Sequence, residues 1–201
     1  KLDPEPLIGE ANDEPAFLNI GDDGVLELVC ESTNALVQGH SGSEADVQKG
    51  LTELIGTLKG KVAVTGFASN LARLQSVAEA AREHGREVAL VGRSMHRITG
   101  AARETGYMKH FPRLIGEEEA AQLPSDRVLY LCTGSQGEPR AALARIARGD
   151  HPSVQLGSGD AVIFSSRIIP GNDIAIHELH NQLSKLGVEV HVGEAVTTID
   201  A

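Results

Sequence analysis

VAVTGFASNLARLQSVAEAAREHG, residues 62–85, decides the fold. Its opening apolar run, Val62–Phe67, reads as a buried strand. The run breaks at Ala68-Ser69-Asn70 and gives way to a helical period with Leu71, Leu74, Val77 and Ala81 on one face. Gly85 ends the helix, and Glu87–Val91 begins the next strand. This is one strand–turn–helix–strand unit of a parallel sheet. Ser69 or Asn70 is placed to cap the helix. The amides just after it point out of the carboxyl edge of the sheet, where open α/β sheets take their ligands. Free N–H groups and the helix dipole favour an anion there, and Arg73 lies one turn in. The expected ligand at Ala68–Asn70 is therefore phosphate-sized.

The pattern extends in both directions. Residues 1–16, with Pro4, Pro6 and Pro15, read as a loop or linker. Val25–Cys30 reads as a strand that delivers Glu31-Ser32-Thr33-Asn34 at its end. After the polar loop Gln38–Gly42, Ser43 caps a helix to about Leu58, with Gly60 as the stop. On the other side, a helix covers about Met95–Glu104 and a short acidic one Glu117–Leu123. Strands are expected at Val128–Cys132, Ala161–Phe164 and Val188–Val192, with helices over Pro139–Ala147 and Asp173–Leu186. Strands and helices alternate throughout. The fold class is α/β: a doubly wound, mostly parallel sheet with helices on both faces.

Composition agrees. Hydrophobic residues make up 41% of the 201 residues but aromatics only 3%, so the core is built from Val, Leu, Ile and Ala, as in a sheet buried on both faces. The net charge of −10 argues against a free-standing nucleic-acid clamp, though not against a local pocket. The two cysteines, Cys30 and Cys132, lie in apolar runs and read as buried reduced thiols of a cytoplasmic protein. No apolar run reaches the roughly 20 residues of a membrane span.

Small polar residues gather at the strand ends: Glu31–Asn34, Ala68–Asn70, Thr133-Gly134-Ser135-Gln136 and Ser165-Ser166-Arg167. Any one of these is an ordinary turn or cap. Together on one edge they suggest a shared crevice whose backbone amides approach a ligand closely. Glu31 reads either as a solvated cap or as a carboxylate that orients a metal-bound His or water. No GK[ST] comes after Gly134–Gly137, and no GxGxxG comes after a strand. His177 and His180, three apart on a helix, read as a solvated or interface pair rather than a metal site. Arg93, Arg97 and Arg167 follow strand ends and are able to read phosphates. For Arg97 and Arg103 a surface salt bridge is the preferred reading.

The succession CESTNA, GHSGSEADV, TGFASNLARLQ, VGRSM, YLCTGSQGEPRAALARIARGDH and FSSRIIPGN resembles bacterial ribonuclease J, of the metallo-β-lactamase superfamily with an inserted β-CASP domain. The match spreads over nearly the whole chain. It implies a two-zinc ribonuclease with 5′-to-3′ exonuclease and endonuclease activity on 5′-monophosphorylated RNA, in mRNA decay and rRNA maturation. That family's metal ligands come from an HxHxDH motif, a further His, an Asp in a GDF motif and a late His, none of which stands in this sequence. KLDPEP resembles the family's segment immediately after the GDF, and VHVGEAVTTIDA resembles the segment immediately before an HVSGH motif. The implied division is 1–23 as linker and edge of the metallo-β-lactamase domain, 24–193 as the β-CASP domain and 194–201 as the connector back.

By position, the resemblance makes Glu31 the β-CASP acidic motif in a supporting catalytic role, and Ala68, Ser69 and Asn70 the 5′-phosphate pocket. Arg73, Arg93, Ser135, Ser165 and Arg167 are candidate RNA contacts. The departures are Gly66, where a β-branched residue or Ala is expected, and Asp173, where Glu commonly follows PGN. The parent is expected to be a homodimer or homotetramer with no membrane association, and the chain alone to be inactive. Two other readings compete: a non-catalytic α/β nucleotide-binding or protein-interaction module, and a free-standing metal hydrolase using Glu31, His40 and the His177/His180 pair.

Overall fold

The computed structural model describes residues 6–30, 38, 42–109 and 111–193. Six strands form one sheet: β1 (Val62–Thr65), β2 (Glu87–Val91), β3 (Leu114–Ile115), β4 (Val128–Cys132), β5 (Ala161–Phe164) and β6 (Glu189–His191). All pairings are parallel, in the spatial order β3-β2-β4-β1-β5-β6. β1 is central and wholly buried, with Val62 in register with Leu129 on one side and Ala161 on the other. The helices are α1 (Glu14–Asp23), α2 (Glu44–Thr57), α3 (Leu71–Glu83), α4 (Arg93–Glu104), α5 (Glu117–Ala120), α6 (Ala142–Ala147) and α7 (Asp173–Lys185).

Successive strand residues face opposite sides of the sheet, and two cores result. Val62, Val64, Leu90, Leu131 and Ile163 pack with Leu51 of α2, Leu74 of α3 and Met95 of α4. Ala63, Val91, Tyr130, Val162 and Phe164 pack with Ala120 of α5, Leu143 of α6 and Leu183 of α7. The direction of travel explains the split. From β1 the chain steps toward β3 through α3 and α4, then returns toward β6 through α5, α6 and α7. Right-handed crossovers put helices of opposite travel on opposite faces. The doubly wound α/β reading of the sequence is thus the observed fold.

Several boundaries differ from expectation. Val25–Cys30 forms no strand: it is irregular, and Leu26, Leu28 and Val29 are exposed. An apolar run becomes a strand only beside another strand, and none lies next to it among the described residues. Cys30 is therefore exposed rather than buried, while Cys132 is buried. α1 begins inside the expected loop, with Asp13 as N-cap and Pro15 in the first turn, where proline costs no hydrogen bond. α6 starts at Ala142 instead of Pro139, because Thr133 at the end of β4 accepts the Ala142 N–H through Oγ1 at 3.1 Å. α4 starts at Arg93, directly after Gly92, and α5 stops at Ala120. β3, a two-residue edge strand, has no period to betray it.

Ser43 caps α2 as the sequence suggests, and the structure adds a reciprocal box with Asp46. Gly60 has a different role from the expected helix stop, since Leu58 is the C-cap. A Cβ on Gly60 would stand 2.0 Å from the Gly159 carbonyl oxygen. This close approach joins the starts of β1 and β5, where Asp160 accepts the Lys61 N–H at 2.8 Å and the Gly157 N–H at 3.0 Å.

Candidate phosphate-binding edge

The carboxyl ends of β1, β2, β4 and β5 lie side by side. The helices after β2 and β1 go to one face, and those after β4 and β5 to the other. Each crevice between these neighbouring ends is therefore a switch point, the place where such sheets bind ligands.

After β1 the chain turns through Phe67–Asn70, with the Asn70 N–H donating to the Phe67 carbonyl at 3.0 Å. Of the two expected caps, Asn70 is the one used: its Oδ1 accepts the Arg73 N–H at 3.1 Å. Ser69 is exposed, and its hydroxyl makes no hydrogen bond with any described residue. Ala68, Ser69 and Asn70 therefore sit together at the start of α3, with Ser69 outermost.

Arg73 is buried rather than open to a ligand at this turn. Its Nε lies 2.6 Å from Glu44 Oε1, and its Nη1 donates to Ser165 at both the carbonyl (2.9 Å) and Oγ (2.8 Å). Arg73, Glu44 and Ser165 are all buried. Two candidate RNA contacts, Arg73 and Ser165, are thus spent on holding α3 to α2 and to the end of β5. Glu44 escaped the sequence reading because an acid in the first turn of a helix looks like dipole complementation.

Ser135 and Arg167 meet in a second place. They line a cleft of about 640 Å³ with Phe164, Ile168, Ile169 and Ile176. Gln136 fixes its wall: Nε2 donates to the Arg167 carbonyl at 2.8 Å, and Oε1 accepts the Ile169 N–H at 2.9 Å. The sequence placed Gln136 in a polar loop but gave no sign that it bridges to Arg167 in the loop after β5, 31 residues away. Arg93 lies apart from both, at the start of α4.

Glu31 and His40 lie outside the described residues. Among the described residues no group of three or more His, Cys, Asp or Glu is placed to hold a metal ion. The His177 and His180 rings are 6.2 Å apart, and His180 packs edge-on against Phe164 at 4.4 Å. Burial, then the neighbouring His177, lowers the His180 pKa. The described residues therefore do not fit a zinc site. No helix among them is long and apolar enough to cross a membrane.

A doubly wound parallel sheet with polar loops collected on its carboxyl edge is the architecture in which α/β domains commonly bind ligands. The family model described as Ribonuclease J, beta-CASP domain matches residues 59–183. The ribonuclease J of Sinorhizobium meliloti is 47% identical over 190 residues, and that of Mycolicibacterium smegmatis 47% over 191, each alignment covering 94% of this chain. The ribonuclease J of Thermus thermophilus is 43% identical over 190 residues, again 94% of this chain. This chain belongs to the ribonuclease J β-CASP domain family. It spans about a third of the length of these relatives, 34%, 34% and 33% respectively.

Proposed function

We propose that this chain is the RNA-binding β-CASP domain of a ribonuclease J, and that it receives the 5′-monophosphate end of RNA at Ala68–Asn70. The observation that carries the reading is the α3 N-terminus, opening at the centre of the carboxyl edge with the Ser69 hydroxyl outermost. Phosphate is favoured there by the aligned helix dipole and the Ala72 N–H, the Leu71 and Arg73 N–H groups donating instead to the Ser69 carbonyl and Asn70 Oδ1. Family membership supplies the substrate class.

In this reading residues 24–193 form the β-CASP domain, flanked by 1–23 and 194–201, which lead to the metallo-β-lactamase domain. The parent is a cytoplasmic homodimer or homotetramer. It cuts RNA as a 5′-to-3′ exonuclease and endonuclease in mRNA decay and rRNA maturation. Two zinc ions, whose ligands would lie outside this chain, would when bound supply an activated water for phosphodiester cleavage. Glu31 supports that centre. The residues here bind and orient the strand; alone, they bind weakly and cleave nothing.

The test is a titration with UMP and with uridine, monitored by amide NMR. Shifts centred on Ala68–Leu71 for UMP alone, lost in Ser69→Ala, support the reading. Equal shifts for uridine would sink the phosphate assignment. The competing module reading draws on the largely apolar cleft at Ile168, Ile169 and Ile176. It gains if UMP binds at another strand end.

A further inference from the structure

A second crevice on the carboxyl edge carries more positive charge than the first. At the β2/β4 switch point a cleft of about 560 Å³ is lined by Arg93, Ser94, Arg97, Thr133, Glu138 and Arg140. All three arginines are exposed, and none makes an ion pair or side-chain hydrogen bond with any described residue. The surface salt bridge expected for Arg97 is absent among the described residues, as is that for Arg103. Glu138, the single acid of the lining, is engaged locally: its Oε2 accepts the Gln136 N–H at 3.0 Å.

The backbone adds to this field. α4, a 12-residue helix, opens on Gly92 with no side-chain cap, and its first two residues, Arg93 and Ser94, both line the crevice. Gly92 has φ 114°, and a Cβ there would stand 2.6 Å from Thr133 Oγ1. Only glycine lets the end of β2 press against Thr133 and set the helix start beside the cleft. In a chain of net charge −10, three guanidinium groups against one carboxylate in one concavity stand out. Low-dielectric walls focus such a field outward.

The geometry points to a phosphate-binding site at Arg93, Arg97 and Arg140, separate from Ala68–Asn70 and two strands away from it. The ligand is a phosphate-bearing anion: the backbone of a single-stranded RNA, or a free phosphate compound. Guanidinium forks suit either. Only the RNA alternative rests on the function proposed above. The ends of β1 and β2 are separated by β4, a spacing of roughly 10 Å. A strand whose 5′ end sits at Ala68–Asn70 reaches the arginines within its first few linkages.

The test monitors the chain by NMR during titration with inorganic pyrophosphate and, separately, with a 5′-phosphorylated oligonucleotide, against chloride at equal ionic strength. Both probes should move the Arg93 and Ser94 amides and the guanidinium signals of Arg93, Arg97 and Arg140, leaving Arg82 and Arg103 unmoved. The triple variant R93Q/R97Q/R140Q should keep its melting temperature, because all three side chains are exposed. It should weaken oligonucleotide binding by about fivefold or more, and the log–log salt slope should fall by about 2 for three lost phosphate contacts. UMP shifts at Ala68–Leu71 should persist in it. A response to pyrophosphate without oligonucleotide binding establishes the site for a free phosphate compound and removes RNA as its ligand. Oligonucleotide shifts at Ala68–Leu71 with none at the arginines under either probe overturn the site and leave the proposed function standing. Silence at the arginines under both probes overturns it outright.

Discussion

Arg73 Nε lies 2.6 Å from Glu44 Oε1, with both side chains only 6% exposed. The pair joins α2 to α3, and the other arm of the guanidinium reaches Ser165 at the end of β5. Three elements far apart in sequence are thereby locked behind the Ala68–Asn70 turn.

Glu44→Ala removes the carboxylate that the buried Arg73 guanidinium meets at 2.6 Å. Breaking a buried pair from one side costs about 3–5 kcal/mol. Urea unfolding should show a loss of that order, whereas replacing both residues with apolar ones should cost less. A single-variant loss below about 1 kcal/mol would mean that the pair is screened like a surface one.

Gln136 is buried and holds the β5 loop through the Arg167 carbonyl and the Ile169 N–H. Gln136→Ala should cost about 1–3 kcal/mol, the usual penalty for unsatisfied buried partners. Hydrogen exchange at Ile169 should accelerate selectively. Unchanged protection there would show that the loop is held by its apolar contacts alone.

Gly60→Ala drives a methyl group into the Gly159 carbonyl, which stands 2.0 Å from the ideal Cβ position. The starts of β1 and β5 must separate, at a cost of about 1–3 kcal/mol or more. A melting temperature equal to that of the parent chain would contradict the close approach.

The two thiols should behave oppositely toward a thiol-specific reagent. Cys30 is exposed and should react in the native chain. Cys132 is fully buried, and burial pushes its thiol pKa up to about 12, so it should react only on unfolding. Equal native rates would refute this.

His151 and His180 both have pKa values lowered by burial. Their stabilising contribution is complete above the unfolded-state value of about 6.5. It is lost as the pH falls from there through the lower folded values, because the unfolded chain then binds the extra protons. The urea midpoint should drop between pH 7.5 and 5.5, and His180→Gln should reduce the drop. A midpoint that rises on acidification would reverse the assignment.

Local chemistry wrote much of this fold into the chain. Val62–Thr65, Val128–Cys132 and Ala161–Phe164 are apolar runs bounded by polar turns, which only strands buried on both faces explain. Ser43 capping α2, Asn70 at the start of α3 and the alternation of elements arise from neighbours a few residues apart. Family membership was legible in the loop motifs, because loops positioned by a rigid scaffold carry function. Partnership across the sheet was not legible. VLELVC at 25–30 has strand composition but no strand beside it among the described residues, and its side chains are exposed. Arg73 has the sequence of a phosphate reader, yet Glu44 and Ser165 turn it inward. Arg97 has the sequence of a surface ion pair, yet the β2/β4 crevice sets it beside Arg93 and Arg140. A charge is defined by what faces it, and contacts 29 or 92 residues away are made only when the sheet closes.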